Sequence, residues 1–148
     1  MKKILTTPIS DEAIKSLKTG DIVYLSGTLV TCRDEGHRRV VAEGIMPKLP
    51  MEGIAIFHAG PIVKDVEGGW EMVSIGTTTS MRMERYEKEF LEKTGVKLVI
   101  GKGGMGAKTA EGCKESTAVH AVFPGGCAVI AAEQVEKIED KEWPEFGM

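Results

Sequence analysis

The sequence is poor in cysteine: Cys32, Cys113 and Cys127 are the three in 148 residues, and no two of them form a CxxC pair. An odd, scattered set argues against a disulfide framework and against a complete metal or cluster site held by this chain, and it suits a reducing cytoplasm. Long apolar runs are lacking too. No stretch approaches the ~18 residues needed to cross a bilayer, and Met1-Lys2-Lys3-Ile4-Leu5 has no secretion-signal core, so a soluble cytoplasmic protein is expected. Nor does charge of one sign dominate, since 19 basic and 22 acidic side chains leave −3. Nucleic acid and anionic membranes are therefore not favoured as bulk partners, and any anion site must be local. His37, His58 and His120 lack metal-ligand spacing, which points them to capping, packing or surface roles. Repeats, low-complexity tracts and linkers are missing, so residues 1–148 are expected to form one domain. A domain of this size buries roughly 68–70% of its unfolded surface, enough for a core without staples.

What is present reads as alternating helices and strands. Ser10-Asp11-Glu12 precedes Ala13, Ile14 and Leu17 and leads to Lys18 and Gly20, a short helix with an acidic start and a basic, glycine-terminated end. Asp21 to Val30 is one β-rich run feeding the polar cluster Thr31 to Arg39. A buried strand follows from Gly53 and is broken by Gly60-Pro61, after which Ile62 to Ser74 fold back on Glu67-Gly68-Gly69 as a hairpin. Met83, Tyr86, Phe90 and Leu91 recur at helical spacing until Gly95. Val96 to Ile100 is a strand, Gly101 to Gly106 a glycine-rich turn and Ala107 to Thr117 a helix, with further strands over Ala118 to Phe123 and Cys127 to Ala132. The tail from Lys137, with Trp143 and Pro144, is placed against the surface or a partner. A mixed α/β domain is the architecture this order supports.

The chemistry concentrates in Gly76-Thr77-Thr78-Thr79-Ser80-Met81-Arg82-Met83, where hydroxyls and one guanidinium meet the start of a helix. Thr79 or Ser80 is the N-cap, and unpaired N–H groups at that helix end favour a carboxylate or phosphate. A plain cap beside a solvated arginine explains the same residues about equally well. Arg33, Arg82 and Lys102 each follow a strand, and ligands of open α/β sheets gather at strand ends, so the three could converge on one small polyanion. Three separate surface charges are the alternative. The Gly101-Lys102-Gly103-Gly104-Met105-Gly106 turn is not a phosphate loop, which requires its lysine after the last glycine.

Four ordered blocks, Thr31-Cys32-Arg33-Asp34-Glu35-Gly36-His37, His58-Ala59-Gly60-Pro61, Gly76 to Met83, and Gly101-Lys102-Gly103, resemble the β subunit of iron–sulfur hydro-lyases. That family contains class I fumarate hydratases and L-tartrate dehydratases, and the resemblance spans nearly the whole chain. It implies a swivelling β/β/α domain, a mixed sheet with flanking helices, acting with an α subunit that carries a [4Fe–4S] cluster. The family's Thr-Thr-x-x-Arg motif falls on Thr78, Thr79 and Arg82, which implies Thr78 as the catalytic base and Arg82, Arg33 and Lys102 as substrate carboxylate clamps, with no metal ligand in this chain. Single-chain relatives have Ala-Gly where Ser80-Met81 stand and often Tyr in place of His58, differences that bear on substrate identity. The first expectation is hydration of fumarate to malate; the alternatives are tartrate dehydration to oxaloacetate and a non-catalytic dicarboxylate- or phosphate-binding module.

Overall fold

The computed structural model describes residues 2–32, 34–48, 51–59, 62–75 and 79–123, with Ala132, Glu133, Val135 and Ile138. The chain opens with β1 (Lys2–Thr6), α1 (Asp11–Lys15) and β2 (Ile22–Ser26), and β1 and β2 pair in parallel from Lys2 opposite Ile22 to Thr6 opposite Ser26. Ser10 caps α1 as expected, its Oγ accepting the Ala13 N–H at 3.2 Å, with Asp11 and Glu12 in the first turn.

The run read as one strand from Asp21 to Val30 is two. Gly27 takes φ 101°, a conformation strained for any side chain, and a Cβ there would also overlap Thr7 Oγ1. The chain turns at that point out of the small sheet and enters β3 (Leu29–Thr31) of a larger one. After α2 (Asp34–Val41) comes β4 (Ala55–Phe57), then the hairpin of β5 (Ile62–Val66) and β6 (Gly69–Ser74), antiparallel about Glu67-Gly68. One 3₁₀ turn over Ser80–Met83 runs into α3 (Glu84–Thr94), which Gly95 closes at φ 75° by donating its N–H to Leu91. The remaining elements are β7 (Leu98–Gly101), α4 (Ala107–Ser116) and β8 (Val119–Val122). The strand expected over Cys127 to Ala132 lies almost wholly outside the described residues, as does most of the tail.

The larger sheet has the order β3-β4-β7-β8, every pair parallel. The mixture of strand directions expected of one sheet is thus divided among the described residues, with antiparallel pairing in the separate β5-β6 hairpin. Alternation along β4 and β7 sorts the core. Ile56 and Val99 join Val40, Phe90, Leu91 and Val96 on the side covered by α2, α3 and α4. Ala55 and Leu98 face the opposite way, with Leu5, Ile9 and Ile14 from the β1-α1 segment and Val23 and Leu25 of β2. The layers are therefore small sheet, central sheet and helices, in agreement with the β/β/α expectation. Fully buried Ile56, Phe90, Leu91, Leu98 and Val99 anchor them, each worth roughly 1.5–3 kcal/mol on burial.

A parallel sheet brings all its C-terminal strand ends to one edge. The ladder continues one residue past the strands, with Cys32 N–H donating to Phe57 C=O (3.0 Å), His58 to Ile100 (2.8 Å) and Phe123 to Gly101 (2.9 Å). Cys32, His58 and Lys102 therefore emerge side by side, at the edge where α/β sheets bind ligands.

Candidate functional site

Ser80, not Thr79, is the hinge of this edge. Thr79 is extended (φ −63°, ψ 117°) and forms a parallel bridge with Lys102, while neither Thr79 nor Met83 makes a side-chain cap. The hydroxyls thus do not cap the helix start as expected. Ser80 is fully buried and turned inward: its Oγ accepts the Lys102 N–H at 3.1 Å and lies 2.9 Å from His58 Nδ1, while its N–H donates to Lys102 C=O at 3.1 Å. The next residue inward is decisive for that placement. A Cβ on Gly101 would overlap Ser80 Oγ and lie 3.0 Å from His58 Nδ1, so only glycine leaves the hydroxyl its seat.

Behind Ser80 lies a buried charged cluster. Glu87, one turn into α3, faces His58 Nε2 through Oε1 at 3.1 Å and His37 Nε2 through Oε2 at 2.5 Å, and all three side chains are fully buried. His37 Nδ1 lies 3.4 Å from Cys32 Sγ, and its ring stacks on Phe90 with centroids 4.2 Å apart. Burial by itself pushes a carboxyl up, but the positive charge of His37 and hydrogen bonds from His37 and His58 bring Glu87 down to about 2. Burial likewise disfavours a charged His37, yet the Glu87 carboxylate and then Cys32 outweigh it and hold this imidazole well above its ordinary range. An ion pair between His37 and Glu87 therefore sits in the core, bridging α2 and α3. His37, His58 and Glu87 bring three ligating atoms within 4.8 Å of one another, donor types that zinc uses. Glu87 Oε1 is already hydrogen-bonded with His58 Nε2 and Glu87 Oε2 ion-paired with His37 Nε2, so the three groups engage one another.

Sequence reasoning assigned these histidines to capping, packing or surface roles and overlooked Glu87. The signal was available: Met83, Glu87, Phe90, Leu91 and Thr94 form the buried face of one helix, and a carboxylate on an apolar stripe needs a buried partner.

Of the predicted cations, Arg82 lies in the 3₁₀ turn, exposed, with its guanidinium 2.8 Å from Asp34 Oδ2 at the start of α2. An exposed pair of this kind is worth at most about 1 kcal/mol, so a substrate carboxylate can displace it. Lys102 carries an exposed side chain on a backbone held from both sides by Ser80. Arg33 and Thr78 lie outside the described residues, beside Cys32 and Thr79 respectively.

The glycine-rich turn leads to an occupied helix end. Glu84 of α3 accepts the Gly106 N–H (2.8 Å), the Lys108 N–H (3.1 Å) and the Thr109 hydroxyl (2.5 Å), filling the N-terminus of α4 with an internal carboxylate. Burial, the largest single influence, raises this group, but those donors together hold it below the usual carboxylate range. A phosphate-loop role for Gly101 to Gly106 is thereby closed off by structure as well as by motif.

An exposed arginine and lysine stand at the C-terminal edge of a parallel sheet, their segments tied together over a buried Glu–His cluster, in an α/β domain. The chain belongs to the Fumarase C-terminus family, whose model matches residues 2–148, and so to the iron–sulfur hydro-lyases. It is 59% identical to the L(+)-tartrate dehydratase subunit beta of Escherichia coli over 148 residues, covering 100% of this chain and 74% of that protein. A putative L(+)-tartrate dehydratase subunit beta of Methanocaldococcus jannaschii shares 39% over 144 residues, 95% of this chain and 74% of its own. A putative fumarate hydratase class I of Geobacillus stearothermophilus shares 38% over 145 residues, 97% of this chain but 28% of that longer protein. No helix among the described residues is long and apolar enough to cross a membrane.

Proposed function

We propose that the chain is the β subunit of a two-subunit L(+)-tartrate dehydratase, removing water from tartrate to give oxaloacetate together with an α subunit. The observation that carries this reading is the identity of 59% along the full chain to a tartrate dehydratase subunit beta, against 38% to a class I fumarate hydratase. Fumarate hydration is the same class of chemistry on a near-identical dicarboxylate, and it is the second reading.

The division of labour follows from the residues. A [4Fe–4S] cluster requires thiolates, and Cys113 is half-buried with its thiol pushed by burial, then by Glu87 and Glu84, up to about 11. Cys32 packs in the core beside His37. These cysteines do not suit a cluster, which we assign to the α subunit. On this chain Arg82 and Lys102 receive the substrate carboxylates, with Arg33, next to Cys32 in sequence, as the third clamp. Arginine supplies a bidentate fork and lysine a point charge, so the pair both orients the acid and stabilises negative charge that builds on its carboxylate as the carbon-bound proton leaves. Thr78 takes that proton, its own passing to a neighbouring acceptor, since a threonine hydroxyl is otherwise a weak base near neutral pH.

The test is anaerobic co-purification with the α subunit, followed by steady-state kinetics on L-tartrate and on malate. A higher kcat/KM on L-tartrate is expected. A preference for malate assigns the fumarate hydratase reading, and an assembly inert on both assigns a binding module.

A further inference from the structure

We propose that Ser80 is a positioning residue, its hydroxyl locked by His58 and Glu87 so that Lys102 and the Thr79 segment are held at a fixed spacing across the anion site, an inference that rests on the reading of that site given above. The outer hydrogen bonds can be given directions. Lys102 N–H can only donate, so Ser80 Oγ accepts it at 3.1 Å. Glu87 Oε1 lies 3.1 Å from His58 Nε2, and an ionised carboxylate only accepts, so that nitrogen carries a hydrogen. The Ser80 hydroxyl and His58 Nδ1 share the remaining hydrogen bond of the chain at 2.9 Å.

One ordered chain results, from the Lys102 amide through Ser80 and His58 to Glu87, with each donor and acceptor used. It runs from a core ion pair to the peptide that carries the exposed lysine. Ser80 also returns its own N–H to Lys102 C=O at 3.1 Å, so residue 102 is gripped on both faces of its backbone. Because Ser80, His58 and Glu87 are fully buried, water does not compete for these bonds, and breaking one strands a group that cannot be resolvated. The effect reaches substrate through Lys102 and Thr79, since Ser80 itself is closed to solvent.

The experiment uses the assembled enzyme and follows KM, kcat and Tm for L-tartrate in Ser80→Ala, His58→Asn, His58→Gln and, as a structural control, Thr94→Val. Asn places its carbonyl oxygen where Nδ1 stands and so keeps the Ser80 hydroxyl bond; Gln reaches instead toward Glu87 and loses it. Thr94 is buried at the far end of α3, where its hydroxyl donates to Phe90 C=O at 2.7 Å. Ser80→Ala and His58→Gln should raise KM roughly tenfold, whereas His58→Asn stays within about threefold and Thr94→Val within about twofold although its Tm falls. Should Ser80→Ala not assemble, the His58 pair decides. A KM that tracks Tm across the variants, or stays flat in Ser80→Ala and His58→Gln while the wild type is active, overturns the positioning role alone. A wild-type assembly inert on both acids removes the site, and this inference with it.

Discussion

Replacing Gly101 with alanine tests the geometry beneath the site without touching any charged group. The new methyl would overlap Ser80 Oγ and stand 3.0 Å from both Ser80 Cβ and His58 Nδ1, so the hydroxyl must leave. It makes two buried hydrogen bonds, one from the Lys102 amide and one with His58, and losing them costs about 1–3 kcal/mol each once the stranded partners are counted. Overpacking adds roughly 1–3 kcal/mol, while stiffening of the unfolded chain returns about 0.4–1 kcal/mol. A net loss of about 2–9 kcal/mol is expected, well beyond the ~1 kcal/mol of an ordinary substitution. Equilibrium urea unfolding of the wild type, Gly101→Ala, Ser80→Ala and the double variant reads it directly. With Oγ gone the nearest atoms must give by only a few tenths of an ångström. The double variant should therefore be more stable than additivity predicts by at least about 1 kcal/mol. A Gly101→Ala chain within about 0.5 kcal/mol of wild type, or strict additivity, would refute the claim that Gly101 exists to seat Ser80.

The His37–Glu87 pair predicts a pH signature. Glu87 is depressed from 4.5 to about 2, so its stabilisation is present above about pH 4.5 and lost as pH falls toward 2; His37 is raised, so its share is full below 6.5 and lost as pH climbs through its elevated value. Glu87→Gln should cost roughly 3–5 kcal/mol near pH 5–6 and less at both extremes, and a cost independent of pH in urea titrations from pH 3 to 9 would contradict it. Arg82→Ala and Lys102→Ala should each lower kcat/KM of the assembled enzyme at least roughly tenfold, with Arg82→Lys a partial rescue because the bidentate fork is lost; near-normal kinetics would return both to surface charges. Thr78→Ala should keep its melting temperature and substrate KM while kcat falls about 10²–10⁴-fold, and a variant that melts lower yet turns over normally would make Thr78 structural.

Local chemistry made much of the fold legible in advance. Ser10 with its acidic neighbours announced α1, Glu67-Gly68 the hairpin, and Gly95 the end of α3, each because the signal and the structure lie within a few residues. The break at Gly27 was hidden in an apolar run, because what crowds it is Thr7, twenty positions earlier and just past the end of another strand. The same holds at the site. Arg82 and Lys102 were readable as cations after strands, but the bonds that order them link His58 to residues 22 and 29 positions away, and such contacts exist only once the sheet has brought its strand ends together. Ser80 looked like a cap for that reason: a serine before a helix satisfies the local rule whichever way its hydroxyl finally turns.

The carboxylate of Glu84 at the head of α4 has a consequence for what the protein ignores. Gly106 N–H, Lys108 N–H and the Thr109 hydroxyl would otherwise be a ready cradle for a phosphoryl group, next to a glycine-rich turn and a lysine. Their occupant is tethered to the same chain, so it meets them at an effective concentration in the millimolar range or above. Free phosphate esters must out-compete a ligand that never diffuses away. Glu84 is in this sense a permanent tenant of the helix end, and on the function proposed above its residence leaves Lys102 to meet unphosphorylated acids.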